Sequence, residues 1–142
     1  MALRNAPVRL TAGAYILHSG LTKWNGSAEQ AAGVHGMAAA AYPQVKQVEP
    51  SAFLKALAAG EIATGALLLA PFVSPRVAGA ALTGFGGSLV GLYLRLPGMR
   101  KPGSIWPTQQ GIGLSKDIWL LGMGLGLLTD RRRPKRTQPD AE

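Results

Sequence analysis

Glu61, Lys116 and Asp117 are ionisable residues set deep inside apolar stretches, where a charge is costly and therefore informative. His18, Lys23 and Arg95 lie in or near the ends of similar stretches. An isolated carboxylate in hydrocarbon is protonated or paired. The chemistry open to this set is ion pairing, proton holding, or hydrogen bonding to a polar head group. Glu61 with Lys116 is the simplest pair. Asp117 then has His18, Lys23 or Arg95 as partners from neighbouring helices. Lys116 and Asp117 are consecutive, so on a helix they point about 100° apart and serve two different neighbours.

Four apolar, glycine-rich stretches must position these residues. They run about 8–24, 51–72, 75–96 and 108–128, each near the roughly 20 residues that a helix needs to cross a hydrocarbon core. Charged residues form only 15% of the chain, against about 25% in soluble domains, and the stretches lack regularly charged faces. This predicts an all-α fold: a transmembrane four-helix bundle forming a single membrane domain over 1–142. Glu61 lies ten residues past Ser51, and Lys116 and Asp117 lie eight and nine past Thr108. At about 1.5 Å per residue the three reach a similar depth.

Local signals sharpen the boundaries. Ser51 is expected to cap the second helix and Pro71 to end it. Ser74-Pro75 supplies a cap and a first-turn proline for the third. The first loop, 25–50, is long, and Ser27-Ala28-Glu29-Gln30 has the form of a capping box. The alanine-rich run behind it predicts a short extracytoplasmic helix lying over the bundle or in the interface and stopping near Tyr42-Pro43. Gly84, Gly86, Gly87 and Gly91 of the third stretch and Gly122, Gly124 and Gly126 of the fourth mark packing surfaces; Gly87 with Gly91, and Gly122 with Gly126, have the small-xxx-small spacing that lets helices approach in lipid. Gly84-Phe85-Gly86-Gly87 follows no strand, so it reads as packing rather than a phosphate loop.

The net charge is +8, and five of the basic residues cluster in Arg131–Arg136. With no interleaved aromatics this reads as a membrane anchor rather than a nucleic-acid tail, and 129–142 as a disordered cytoplasmic segment. With both termini inside, the cytoplasmic face holds Arg4, Arg9, Arg76 and the tail. The other face holds Lys23, Lys46, Lys55, Arg95, Arg100 and Lys101. There is no cysteine, which excludes disulfides, thiolate metal sites and a CxxC relay. Nothing brings His18 and His35 together for haem, and no metal site is expected.

Arg9-Leu10 with Gly13, His18-Ser19-Gly20 and Lys23 resembles the first helix of the DoxX-like family of small four-helix membrane proteins. Gly60-Glu61 with Leu67-Leu68-Leu69 is similar to its second helix. Lys116-Asp117-Ile118 followed by Leu120-Leu121-Gly122 is similar to the start of its last. The resemblance spans about 8 to 128; the long alanine-rich first loop departs from it. It implies a multi-pass protein of the bacterial cytoplasmic membrane, with the lipid bilayer and other membrane subunits or further copies of itself as partners. Relatives include a small membrane subunit linked to thiosulfate:quinone oxidoreductase, so a quinone is the cofactor it suggests. It carries across no catalytic residue. The leading expectation is a non-catalytic or quinone-binding subunit of a membrane redox complex. Glu61, Lys116 and Asp117 would line the site, with His18 and Lys23 near its mouth. The alternatives are an assembly subunit and a small lipid or metabolite transporter.

Overall fold

The computed structural model describes residues 3–130. Among them the chain is helical with no strand: α1 (Ala6–Trp24), α2 (Ala28–Ala41), α3 (Pro50–Leu69), α4 (Pro75–Arg95), the single turn α5 (Ile112–Ser115) and α6 (Ile118–Leu128). Short 3-10 turns occupy Leu3–Asn5 and Pro43–Gln47. The helices form two intimate pairs, α1 along α3 and α4 along α6, and α2 lies across α3 and α4. Ala12 and Ile16 of α1, Leu68 of α3, Ala78 and Leu82 of α4, and Leu127 of α6 join the pairs in one buried core.

The helix starts obey local chemistry. The Ser27 hydroxyl accepts from the Gln30 amide at 3.2 Å, and α2 stops at Ala41 before Pro43. Ser74 accepts from the Val77 amide at 3.3 Å, with Pro75 opening α4. At α3 the expected cap shifts by two residues. Glu49, not Ser51, accepts from the Ala52 amide at 2.9 Å, and the Ser51 hydroxyl donates to the same carboxylate at 2.6 Å. Pro50 explains the shift: it fills the first helical position, where a missing N–H costs nothing.

Two expectations fail in the second half. The stretch 108–128 is not one helix. Thr108 is tied back to Gly98 and Met99, α5 lasts one turn, and the chain breaks at Lys116-Asp117 before the 11 residues of α6. Gly111 and Gly113 weaken helix propagation here. The backbone path also uses 97–111 to fold back over the end of α4 through an antiparallel bridge between Arg100 and Pro107.

Of the glycines expected to pack, Gly86 and Gly124 do, but the pairs spaced by four are not where the helix backbones meet. Gly122 and Gly126 meet nothing, and Gly87 only grazes Leu121. The close approaches use Gly79 and Gly86 of α4 against the α6 backbone, with Gly124 of α6 against Thr83. Gly13 and Gly20 of α1 do the same against α3, where Gly65 faces Leu17. The spacing is seven in both pairs, two turns on one face, so it serves long contacts between nearly parallel axes better than spacing four.

Candidate functional site

α1 carries Tyr15, Ser19 and Lys23 at intervals of four, and α3 carries Phe53, Leu57 and Glu61 at the same interval. Residues four apart share a helix face. Gly20 lets the two helices close until a side chain at that position would strike the Ala58 carbonyl and Glu61 Cβ. The two stripes therefore face each other, and they form walls of a cavity of about 500 Å³. α2 and the following turn roof it with Val34, Met37, Tyr42 and Val45. Phe85, Ser88 and Leu92 of α4 and Leu120 of α6 complete it. The lining is overwhelmingly apolar, with few polar groups at fixed places, the usual composition of a small-ligand site.

The main polar feature is an ion pair. Lys23 Nζ lies 3.0 Å from Glu61 Oε2 and donates to Ser19 Oγ at 2.6 Å. The Glu61 side chain is only 5% exposed and that of Lys23 19%. A carboxylate this deep needs a partner, and Lys23 reaches it from the end of α1 by laying its methylene stem along the helix. One of the ammonium's three N–H donors remains unused in these contacts.

The six residues singled out by sequence separate into three groups. Glu61, Lys23 and Asp117 line the same cavity. Lys116 does not pair with Glu61. It is exposed beside the chain break, because the fourth stretch does not run as the continuous helix from which its depth was calculated. His18 is also exposed, about 100° around α1 from Ser19, and does not line the cavity. Arg95 stands outside the cavity, with its guanidinium carbon 4.8 Å from the centre of the Tyr42 ring. Tyr42 itself donates to the Ser88 carbonyl at 2.8 Å. Gly91 leaves the room for that phenol, since a methyl there would overlap its oxygen.

Sequence reasoning missed Tyr15, Ser19 and Tyr42. The signal was present for the first two, in the spacing that puts them on the face of Lys23. Tyr42 carries no such sign, because a roof residue is placed by the path of a long loop.

Arg9 holds the opposite end. It is fully buried, not a surface charge of the terminal face. Its Nε donates to Leu68 O at 2.7 Å, Nη1 to Val73 O at 2.9 Å, and Nη2 to Leu67 O at 3.0 Å and Ala70 O at 2.7 Å. These carbonyls lie where α3 ends and the following turn begins, a place that leaves acceptors short of backbone donors; Ala70 O also accepts from the Val73 amide at 3.2 Å. Nearby, Arg4 and Asn5 bind the Asp130 carboxylate, so the start of α1 and the end of α6 meet.

Among the described residues, α3 and α4 are the two helices long and apolar enough to cross a membrane. No group of His, Asp or Glu suited to a metal ion occurs among the described residues. The basic run 131–136 lies outside the described residues. No family model, curated protein or solved structure matches the chain.

Proposed function

We propose that this chain is a four-helix membrane bundle that binds a small amphipathic molecule in the cavity beneath α2. The Lys23–Glu61 pair, set in an otherwise apolar wall, is the observation that carries this reading. The membrane setting is supported by the surface. In the apolar windows of α3 and α4 only 33% of residues are buried, whereas the core helix of a soluble protein hides most of its apolar face. Leu10, Leu21, Val77, Leu94, Ile118 and Leu125 are all exposed apolar side chains on helices. Such a surface suits acyl chains.

A quinone fits the chemistry. Its carbonyl oxygens accept hydrogen bonds, which the free donor of Lys23 can give, and its ring suits a cavity edged by Tyr15, Phe53 and Phe85. The resemblance to the DoxX-like family adds a context, a non-catalytic subunit of a bacterial membrane redox complex, and the Lys and Arg counts near the helix ends favour both termini in the cytoplasm. Binding of a short-chain ubiquinone to the purified full-length chain in detergent tests the reading by calorimetry. Lys23→Met is expected to weaken it about ten-fold, the worth of one charge-assisted hydrogen bond. Lys55→Gln, on the exposed face of α3, leaves it unchanged. Equal affinity in Lys23→Met, Glu61→Gln and the parent chain removes the cavity from consideration.

A second reading, an assembly subunit, is favoured by one observation. Gly122 and Gly126 of α6 keep helix-association spacing but touch nothing within this fold, beside exposed Trp119 and Met123. Gly122→Leu separates the readings: it would break a membrane complex while leaving quinone binding intact.

A further inference from the structure

Arg95 was grouped by sequence with the buried charges, but its true neighbours are basic. Beyond the end of α4 lies a second pocket, of about 400 Å³, lined by Arg95, Arg100 and Lys101 together with Leu94, Leu96, Ser104 and Ile105. No acidic residue lines it. The ion pairs among the described residues are Arg4–Asp130 and Lys23–Glu61, so no carboxylate neutralises this trio.

The cations are gathered by a built loop. The Lys101 amide donates to the Trp106 carbonyl at 2.9 Å, and the Thr108 hydroxyl donates to Gly98 O at 2.6 Å. The buried Tyr93 phenol donates to Ile105 O at 2.7 Å. Gly98 and Gly103 take left-handed backbone angles, φ 79° and 68°, that let the loop turn twice. Arg95 is steadied against Tyr42, and Arg100 gives one N–H to Leu94 O at 2.9 Å, leaving most of its five donors free. Three like charges around one concavity repel one another, and an anion seated among them would relieve that repulsion.

We propose that this pocket binds the phosphate group of an anionic ligand. Guanidinium groups match phosphate geometry, with forked donors that an ammonium supplements as a point charge. Ile105 is 71% exposed and Trp106 69%, directly beside the cations. An exposed indole and an aliphatic side chain next to basic residues suit the level where lipid head groups meet acyl chains. An anionic phospholipid is therefore the source that the surroundings favour over free phosphate. The site stands apart from the cavity and does not depend on what that cavity holds.

The full-length chain is reconstituted in phosphatidylcholine nanodiscs containing phosphatidylglycerol, and the anionic lipid retained after mild extraction is counted by native mass spectrometry. Inorganic phosphate is titrated separately by calorimetry. Removing one cation is expected to cost about five-fold in affinity. Lys101→Gln, which breaks no contact within the fold, therefore shows a clear loss of retained phosphatidylglycerol, and Arg95→Gln/Arg100→Gln/Lys101→Gln a much larger one. The charge-matched control Lys46→Gln/Lys55→Gln/Lys116→Gln, all exposed and outside the pocket, retains it. Retention that falls only in the pocket variants supports a lipid head group. Phosphate binding that falls in the same variants, with lipid retention unchanged, supports the anion site with a soluble source. Equal losses in pocket and control variants, or no loss in Lys101→Gln and the triple variant alike, overturn the proposal.

Discussion

At the end of the bundle where α1 begins, Arg9 spreads four N–H bonds over the carbonyls that close α3, and it is sealed from solvent. At the other end, Lys23 meets one carboxylate and one hydroxyl on the wall of a 500 Å³ cavity and keeps a donor in hand. Both are basic residues on the same helix, 14 positions apart in sequence. The difference lies in what surrounds them. Backbone carbonyls cannot move or titrate, so Arg9 completes a fixed structure. A side-chain pair can re-partner when a polar molecule enters, so Lys23 with Glu61 leaves an option open. Charge at depth is thus not by itself a sign of function; its partners decide.

Arg9→Met gives the largest expected effect and would break this contrast if it failed. Removing the guanidinium takes a charged donor from four carbonyls where α3 closes, of which Ala70 O keeps its bond from the Val73 amide. Hydrogen bonds to charged groups are worth about 1.5–3 kcal/mol each, and losses in one network do not add fully, so about 3–5 kcal/mol is expected. Chemical unfolding of the full chain in detergent measures it. Arg9→Lys recovers only part, since three donors replace the four in use. A loss under about 1 kcal/mol for Arg9→Met would mean that the turn between α3 and α4 satisfies its own carbonyls.

The same contrast explains what the sequence could and could not reveal. The start and stop of α2 and the start of α4 were legible, because Ser27, Pro43, Ser74 and Pro75 act on their immediate neighbours. Glu61 was legible as a buried acid that needs a cation, but the identity of that cation was not. Choosing Lys116 assumed an unbroken helix from Thr108, whereas the loop over the end of α4 consumes that segment. Arg9 was read as a surface charge because nothing in its own surroundings in sequence shows that Leu67–Val73 lies beside it. Gly86 and Gly124 were legible as packing glycines, while Gly13, Gly20, Gly65 and Gly79 escaped for a related reason. Spacing of four marks a sharp crossing, and these helices lie along each other with contacts seven apart.

Lys23–Glu61 should give a smaller and differently shaped effect. Lys23→Met strands a buried carboxylate and costs stability, while Glu61→Gln leaves a neutral amide that still accepts from the ammonium. The double variant Lys23→Met/Glu61→Gln is expected to be more stable than Lys23→Met alone, with a coupling of about 1–3 kcal/mol. At Arg9 no second substitution restores stability in this way, because its partners are main chain. Additive effects of Lys23→Met and Glu61→Gln would show that the pair contributes no interaction, and the difference between the two ends would vanish.

The smallest effect concerns Glu49, at the cavity end of α3. Its carboxyl is held below the ordinary carboxylate range, chiefly by the Ser51 hydroxyl and then by the backbone amides of Ser51 and Ala52, with His35 of α2 adding a minor attraction. A folded-state value below the unfolded one means that the contribution is present above the unfolded value and is lost as pH falls through the folded one. The side chain is exposed, so solvent screens it and only the first turn of α3 should respond. Amide exchange at Ala52 and Phe53, corrected for intrinsic rates, is expected to quicken on acidification below the ordinary carboxylate range. Glu49→Gln retains an acceptor for the cap but cannot titrate, so exchange there becomes independent of pH over the same interval. If the parent chain shows no such change, the charge on Glu49 adds nothing to the cap, and α3 is held at this end by Pro50 and its packing against α1 and α2 alone.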